Sequence, residues 1–469
     1  MNMKRRLIMI TFTVFAAAAC SVGPRYRPPV VEAPDAFRGD ASPQRDAASL
    51  ADMRWFEVFQ DESLQDLIRS ALVDNYDLRD AAARVEAARA SLGITRSNEL
   101  PSIGASTDVS TIRNSAGGQF PIFDGFDQRR TFGTVALNLL SFEADVWGRL
   151  RSATDRARAE LLANEENRKA VVTTLVADVA RAYFNLLELD AELDIARRTL
   201  QTRQDSLELI LLREESGVGT LLEVRQGEQL VQAAAQAIPN IEQLIEQTEN
   251  EISLLIGRPP GPIVRGRALT EQGMPAVPPG LPSSLLERRP DIRAAEQNLV
   301  AADAVIRTAK AAYFPQISLT GLLGFQSTEL SSLFTGPMRL WQFVPQVTQP
   351  IFTGGRLRSN VELAAAQREL ALIQYERVIQ TAFREVSDAL IQYQKAQEIR
   401  AKQEQLVATL RDRSRLSYVR YRGGVDSLLN ALDADRDLFD AELGLAQTRR
   451  NELLAVVQLY RALGGGWKE

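Results

Sequence analysis

Histidine is missing from all 469 residues. Its absence removes the commonest general base and the commonest metal ligand, so most hydrolase and metalloenzyme readings lose their central residue. Cysteine occurs once, which excludes an intrachain disulfide. The chain also lacks a glycine-rich phosphate loop at a strand–helix junction, so nothing in it founds an enzyme site. A basic surplus is wanting as well. The net charge is −5, and Lys4, Arg5 and Arg6 contribute +3 of it, so a chain beginning at Cys20 carries −8. Nucleic-acid binding, which needs a basic face, is disfavoured. Glycine and proline are absent from 149–216 and again from 356–422, runs of 68 and 67 positions. As helices at about 1.5 Å per residue, each is roughly 100 Å long, far beyond an ordinary globular helix.

The one cysteine stands at an informative place. Lys4-Arg5-Arg6 precede an apolar stretch at 7–19, and Cys20 follows Ala17-Ala18-Ala19 directly. A basic start, a short apolar core and small residues before a cut describe a secretory signal peptide over 1–19. At about 20 Å as a helix, that core is too short to cross a bilayer. The junction resembles a bacterial lipobox, with alanine at 17 where leucine is commoner, which implies an acylated Cys20 at the head of a lipidated segment 20–61. Two or more acyl chains anchor a protein stably where one does not. Ser21, not being aspartate, is a residue that such lipoproteins carry when they are transferred to the outer membrane.

Internal repetition follows. Asn75-Tyr76-Asp77-Leu78 faces Arg289-Pro290-Asp291-Ile292, and Leu100-Pro101-Ser102-Ile103 faces Phe314-Pro315-Gln316-Ile317, both at an offset of 214. Gly148-Arg149-Leu150-Arg151 faces Gly355-Arg356-Leu357-Arg358, Gly217 faces Gly424, and Gly257 faces Gly464, all at 207. The chain is a tandem duplication of 62–257 and 283–464, joined by a Pro/Gly-rich linker at 258–282 and ending in a tail at 465–469.

Each copy has the same order. An alanine-rich helical stretch (62–99, 283–313) leads into two strand-like runs, at about 103–142 and 316–352. Val135, Leu137 and Leu139 share one face against Thr134, Ala136 and Asn138, and Trp341, Phe343 and Val347 oppose Gln342 and Gln346. Such alternation fits membrane hairpins with a lipid face and a wet face, and it fits a soluble half-buried hairpin too. The long helices 149–216 and 356–422 come next. In the first, Val172, Val179, Leu186, Leu193, Leu200 and Leu207 recur every seven residues. Leu175, Ala182, Leu189, Ala196 and Ile210 lie three ahead, with Arg203 as the exception. That is a coiled-coil seam with a left-handed supercoil. The second copy keeps part of it in Ile379 and Val386 with Ala382, Ala389 and Ala396. Each long helix turns at a glycine and returns through a shorter helix, the first of which is expected to bend or break at Pro239. Four strands cannot close a membrane barrel, so strands in lipid require several chains; three would supply twelve. The fold class expected is mainly α with a membrane β-barrel part.

The motifs now on the page resemble the TolC family of outer-membrane efflux proteins, in particular its lipoprotein branch, the OprM- and NodT-like outer-membrane factors of RND efflux systems. The resemblance runs from Cys20-Ser-Val-Gly-Pro-Arg-Tyr-Arg-Pro-Pro29 through Trp55-Phe-Glu-Val-Phe-Gln-Asp61 and Asp145-Val-Trp-Gly-Arg149. It continues in Leu286-Glu-Arg-Arg-Pro-Asp-Ile292 and Pro350-Ile-Phe-Thr-Gly-Gly-Arg356. It implies a homotrimer with a twelve-stranded β-barrel, a long periplasmic α-barrel and no cofactor beyond the lipid on Cys20. The implied partners are a periplasmic adaptor, an inner-membrane RND transporter and outer-membrane lipid. By family spacing Tyr421, Leu429 and Asp433 match constriction residues of the gate. The turns at Ser216, Gly217, Val218 and Gly424 match adaptor contacts, a role compatible with plain helix capping. Asp426 stands where TolC has an arginine and Asn430 where it has an aspartate, so an arginine latch is not implied and an acidic ring is single. A ring of three Asp433 carboxylates focuses negative potential and favours cations; the plainer alternative is one solvated carboxylate beside Asp435 and Asp437. The competing functions are an exit duct for secreted polypeptide by type I secretion and a non-channel periplasmic coiled-coil lipoprotein.

Overall fold

A computed structural model describes residues 26–29, 34, 36–39, 49–113, 115, 128–273, 275 and 284–467. Cys20 and the signal segment lie outside them. The chain divides into two compact units, each assembled from separate stretches of sequence.

One unit takes Val85–Asn164 and Ala295–Tyr375 with the N-terminal stretch to Pro29, and it carries the strands. β1 (Ile103–Arg113), β2 (Arg129–Glu143), β3 (Gln316–Ser327) and β4 (Arg339–Thr348) form one antiparallel sheet in that order. Paired residues in an antiparallel ladder share a face. The register aligns Ala105, Leu137, Leu323 and Trp341 across the sheet, and next to them Ile103, Leu139, Gly321 and Phe343. The opposite face carries Ser106, Ala136, Gly324 and Leu340, then Gly104, Asn138, Leu322 and Gln342. Its polar groups bond across strands, with Asn138 Nδ2 donating to Ser106 Oγ (2.8 Å) and Gln326 Nε2 to Thr134 Oγ1 (3.2 Å). The apolar face is open to its surroundings: Trp341 is 74% exposed. β2 and β3 slip register between Leu139 and Phe142. Gly324 lies so close to β2 that a Cβ there would meet the Val135 carbonyl at 2.3 Å. The stretch between β1 and β2 falls mostly outside the described residues.

The other unit takes Val30–Arg84, Glu165–Ala294 and Glu376–Glu469. The leading helical stretch of each copy, expected continuous, is interrupted once. In the first copy α1 (Glu62–Asp74) and α2 (Tyr76–Ser97) meet at Asn75; in the second, the single turn Leu285–Arg288 and α5 (Pro290–Ala311) meet at Arg289. Both interrupting residues are extended, and both reach the end of the return helix of their own copy. Asn75 Nδ2 donates to the Leu255 carbonyl (2.9 Å) and Arg289 Nη1 to the Ala462 carbonyl (3.0 Å), positions related by the same two offsets. These bonds satisfy carbonyls that a helix end leaves free.

The long helices are α3 (Arg149–Glu215) and α6 (Arg356–Arg422); their returns are α4 (Leu221–Leu255) and α7 (Leu428–Ala462). Seam positions Val179, Ala182, Leu186, Ala196, Ile210, Ile379, Ala382 and Val386 are buried. An 18-residue window of α3 is apolar enough to cross a bilayer, but 61% of it is buried inside the protein, the mark of a core helix. The break expected at Pro239 is absent: α4 runs unbroken through it. Pro239 is exposed, so its ring meets solvent rather than a packed neighbour. Phe59, Tyr183, Phe184 and Tyr460 centre this unit's aromatic core. Asp61 caps α1 from within it. Burial opposes its charge, but bonds from Gln272, the Arg267 amide, Tyr183 and the Ser63 amide hold the carboxyl below its ordinary range.

Candidate functional site

The two glycine turns are the candidate site. In the first, α3 closes with Gly217 at φ +75°, where its amide bonds the Glu214 carbonyl (2.9 Å) and the Val218 amide bonds the Arg213 carbonyl (3.0 Å). The left-handed residue lets the chain turn back on its own last carbonyls, a task glycine performs without a Cβ clash. Ser216 Oγ bonds the Leu212 carbonyl (2.6 Å), and Thr220 with Glu223 forms the capping box of α4. The second turn repeats the design: Gly424 has φ +69°, and the Val425 amide bonds the Arg420 carbonyl (3.1 Å). Asp426 then replaces a capping box, accepting from Arg420 Nε (3.0 Å), Asn430 Nδ2 (2.6 Å) and the Ser427 amide (2.9 Å). The Arg420 bond foremost, then those from Asn430 and Ser427, hold this carboxyl below its ordinary range.

Gly217 and Gly424 face open space, and Val218, Leu221, Leu222, Val425 and Leu429 are exposed. The copies differ here. Leu221 and Leu222 both point outward, whereas of their equivalents Leu428 is buried and Leu429 is 53% exposed. Leu428 joins Tyr421, Ala431 and Leu432 of the second copy against Ile210 and Val224 of the first. The three residues assigned to the gate therefore do not come together. Tyr421 is 3% exposed within that cluster, while Leu429 and Asp433 lie one turn apart on the exposed side of α7. The Arg213 guanidinium lies over the Tyr421 ring (4.9 Å), and the buried Tyr421 hydroxyl has no hydrogen-bond partner among the described residues. Burial, reinforced by the charge of Glu223, raises the Tyr421 pKa. Asp433 pairs loosely with Arg436 at 3.6 Å.

Arg203, the exception in the seam, is 4% exposed and pairs through Nε with Asp435 Oδ2 (2.8 Å). Its Nη1 bonds the Leu230 carbonyl (3.1 Å), and the guanidinium lies over Phe439 (5.1 Å). This buried pair, with the Tyr421 cluster nearer the turns, ties the first helical hairpin to the second. Its sequence signal was the charge at a seam position; its partner, 232 residues on, had none.

A profile of the family "Outer membrane efflux protein" matches residues 67–258 and 281–465. The chain belongs to the outer membrane efflux protein family. It is 36% identical to the probable efflux pump outer membrane protein TtgC of Pseudomonas putida, over 100% of this chain and 97% of that one. To outer membrane protein OprJ of Pseudomonas aeruginosa it is 38% identical over 96% and 94%. The crystal structure of the open state of the Neisseria gonorrhoeae MtrE outer membrane channel superposes with a TM-score of 0.87 at 33% identity, covering 96% of this chain and 99% of that one. This outer-membrane efflux protein thus joins a family of transport ducts.

Proposed function

We propose that three copies of this chain assemble into the exit duct of a tripartite efflux pump, fed by a periplasmic adaptor and an inner-membrane RND transporter. The observation that carries the reading is the sheet: among the described residues it has four strands, apolar on one face, with β1 and β4 each unpaired on one side. In lipid an open edge leaves backbone groups unsatisfied at several kcal/mol each, so the edges must be met by other copies. Exposed apolar residues at the first turn, Val218, Leu221 and Leu222, offer the adaptor a docking surface. Leu429 and Asp433 line the narrow end of the duct, where Leu429 closes by excluding water and Asp433 selects cations. Cys20 bears the lipid anchor.

Planar-bilayer recordings of the purified protein, with its mass measured in detergent, test this. The expected result is a trimer whose cation preference falls in Asp433→Ala and whose resting conductance rises in Leu429→Ser. A conducting monomer defeats the assembly, and two variants indistinguishable from the parent defeat the gate.

A further inference from the structure

The duplicated strands define two joints, and the chain closes only one of them. β2 of the first repeat pairs with β3 of the second, while the outer edges of β1 and β4 pair with nothing among the described residues. Inside each repeat the ladders correspond: Ile103 faces Leu139 in β1–β2, and Ile317 faces Val347 in β3–β4. At the offset of 214, Ile103 corresponds to Ile317 and Thr107 to Gly321. Leu139, the partner of Ile103, therefore corresponds to Val347, the partner of Ile317. The closed joint sets Leu139 opposite Gly321. The same joint made by the two free edges sets Val347 opposite Thr107 of a second chain.

The transferred register is consistent along the whole edge. β2 has one more residue than β3 between the pairs Leu139–Gly321 and Phe142–Leu319. The counterparts of Phe142 and Leu319 are Gln349 and Ala105, which stand equally far from Val347 and Thr107, so the outer joint runs on without a bulge. Val347 shares the face of Trp341 and Phe343, and Thr107 that of Ala105, so the apolar face continues across the joint; a one-residue slip would set it against the wet face. Past the end of β2 the Ala144 amide donates to the Ile317 carbonyl (2.8 Å), and both residues are half-buried. Their counterparts, Ile351 and Ile103, are 90% and 70% exposed, apolar side chains beside an unpaired backbone edge. On the wet face Gln346, an amide donor, comes opposite the carboxylate of Asp108.

We infer that β4 of one chain pairs antiparallel with β1 of the next, Val347 opposite Thr107 of the partner subunit and Gln346 opposite Asp108 of the partner subunit, so that the contact between chains repeats the contact inside one. The inference rests on the reading above that the sheet edges are met by other copies, and it adds which residues meet. The staple beside the inner joint is not repeated. Gly354 and Leu100 stand where Trp147 stacks on Phe314 (4.9 Å), and Pro350 stands where Glu143 holds Arg149 (2.8 Å). The outer joint relies instead on its backbone ladder and on Ile351 against Ile103 of the partner subunit.

Disulfide crosslinking of the full chain in its membrane reads the register. Opposite residues of an antiparallel ladder have Cα atoms about 4.5–5.5 Å apart, within disulfide reach, whereas those two residues along lie about 7–8 Å away. β1 and β4 of one sheet are three strand spacings apart, about 14 Å, so a disulfide between them joins two chains. On oxidation Gln346→Cys/Asp108→Cys should give bands of two and three chains that vanish on reduction. They should form several-fold faster than in Gln346→Cys/Ser106→Cys or Gln346→Cys/Ser110→Cys, and the parent, with Cys20 alone, should give none. Val347→Cys/Thr107→Cys against Val347→Cys/Ala105→Cys repeats the test on the other face and decides if the first set fails to insert. A trimer in detergent whose crosslinks favour a slipped pair, or that forms none, overturns this register alone; a protein that stays monomeric overturns the assembly on which it rests.

Discussion

Replacing Arg203 by leucine tests how the two helical hairpins are held together. Leucine suits the seam position, so the apolar period is kept, although the guanidinium over Phe439 is lost. What changes is charge: Asp435, 6% exposed, loses the guanidinium at 2.8 Å and keeps no other ion pair among the described residues. Breaking a buried pair from one side costs about 3–5 kcal/mol, because the remaining charge stays desolvated. At about 1.4 kcal/mol per factor of ten, local opening of the hairpins should become roughly two to three and a half orders of magnitude more frequent. Replacing both residues by leucine removes the stranded charge, and substitutions of that kind run from neutral to stabilising by about 1–4 kcal/mol. Hydrogen exchange read by mass spectrometry over 196–210 and 428–440 measures the opening directly. Arg203→Leu should exchange fast there and show raised resting conductance, while Arg203→Leu/Asp435→Leu should regain protection. Single-variant exchange equal to the parent's, or a double variant as fast as the single, would refute the reasoning.

Burial, together with the neighbouring Glu192 carboxyl, pushes Glu188 in the core of the helical unit up to about 8, against the pull of Arg450 at 3.2 Å. The folded state then holds this proton more tightly than the unfolded, so stability falls as pH rises from about 4.5 to about 8 and levels off above. Glu188→Gln should raise the melting temperature at pH 8.5 and barely change it at pH 5; an equal shift at both would count against this. Gly257 and Gly464 occupy equivalent left-handed positions, but a Cβ would stand 2.4 Å from the Asp74 carbonyl at the first and no closer than 3.2 Å to any atom at the second. Both alanine variants carry the backbone penalty of about 1–2 kcal/mol. Gly257→Ala should lose more by a further kcal/mol or so, and equal melting temperatures would contradict the packing. Mass spectrometry of the mature protein should find lipid on a peptide starting at Cys20 and none in Cys20→Ser; an unmodified thiol would exclude the anchor.

Much of the architecture was written locally. The lengths of α3 and α6 follow from the missing glycine and proline, their buried sides from a seven-residue period, and their ends from Gly217 and Gly424, because each signal lies within a few turns of the residues it governs. The sheet's two faces were legible for the same reason: alternation along a strand needs no knowledge of its partner. Chain breaks were harder. Asn75 and Arg289 interrupt helices where each reaches the end of a return helix, at Leu255 and Ala462, and Pro290 adds a local cause at the second, while α4 runs unbroken through the exposed Pro239. The site was legible in part. The turns could be located, and Leu429 with Asp433 lies exposed beside the second. Tyr421, matched to the same constriction by spacing, is instead buried against Ile210 and Val224 of the other copy. Arg203 was visible as a charge out of place, yet nothing near it named Asp435. Periodicity determines which side of a helix is buried; which side chain waits across the gap depends on how separate helices pack, and that only the tertiary structure decided.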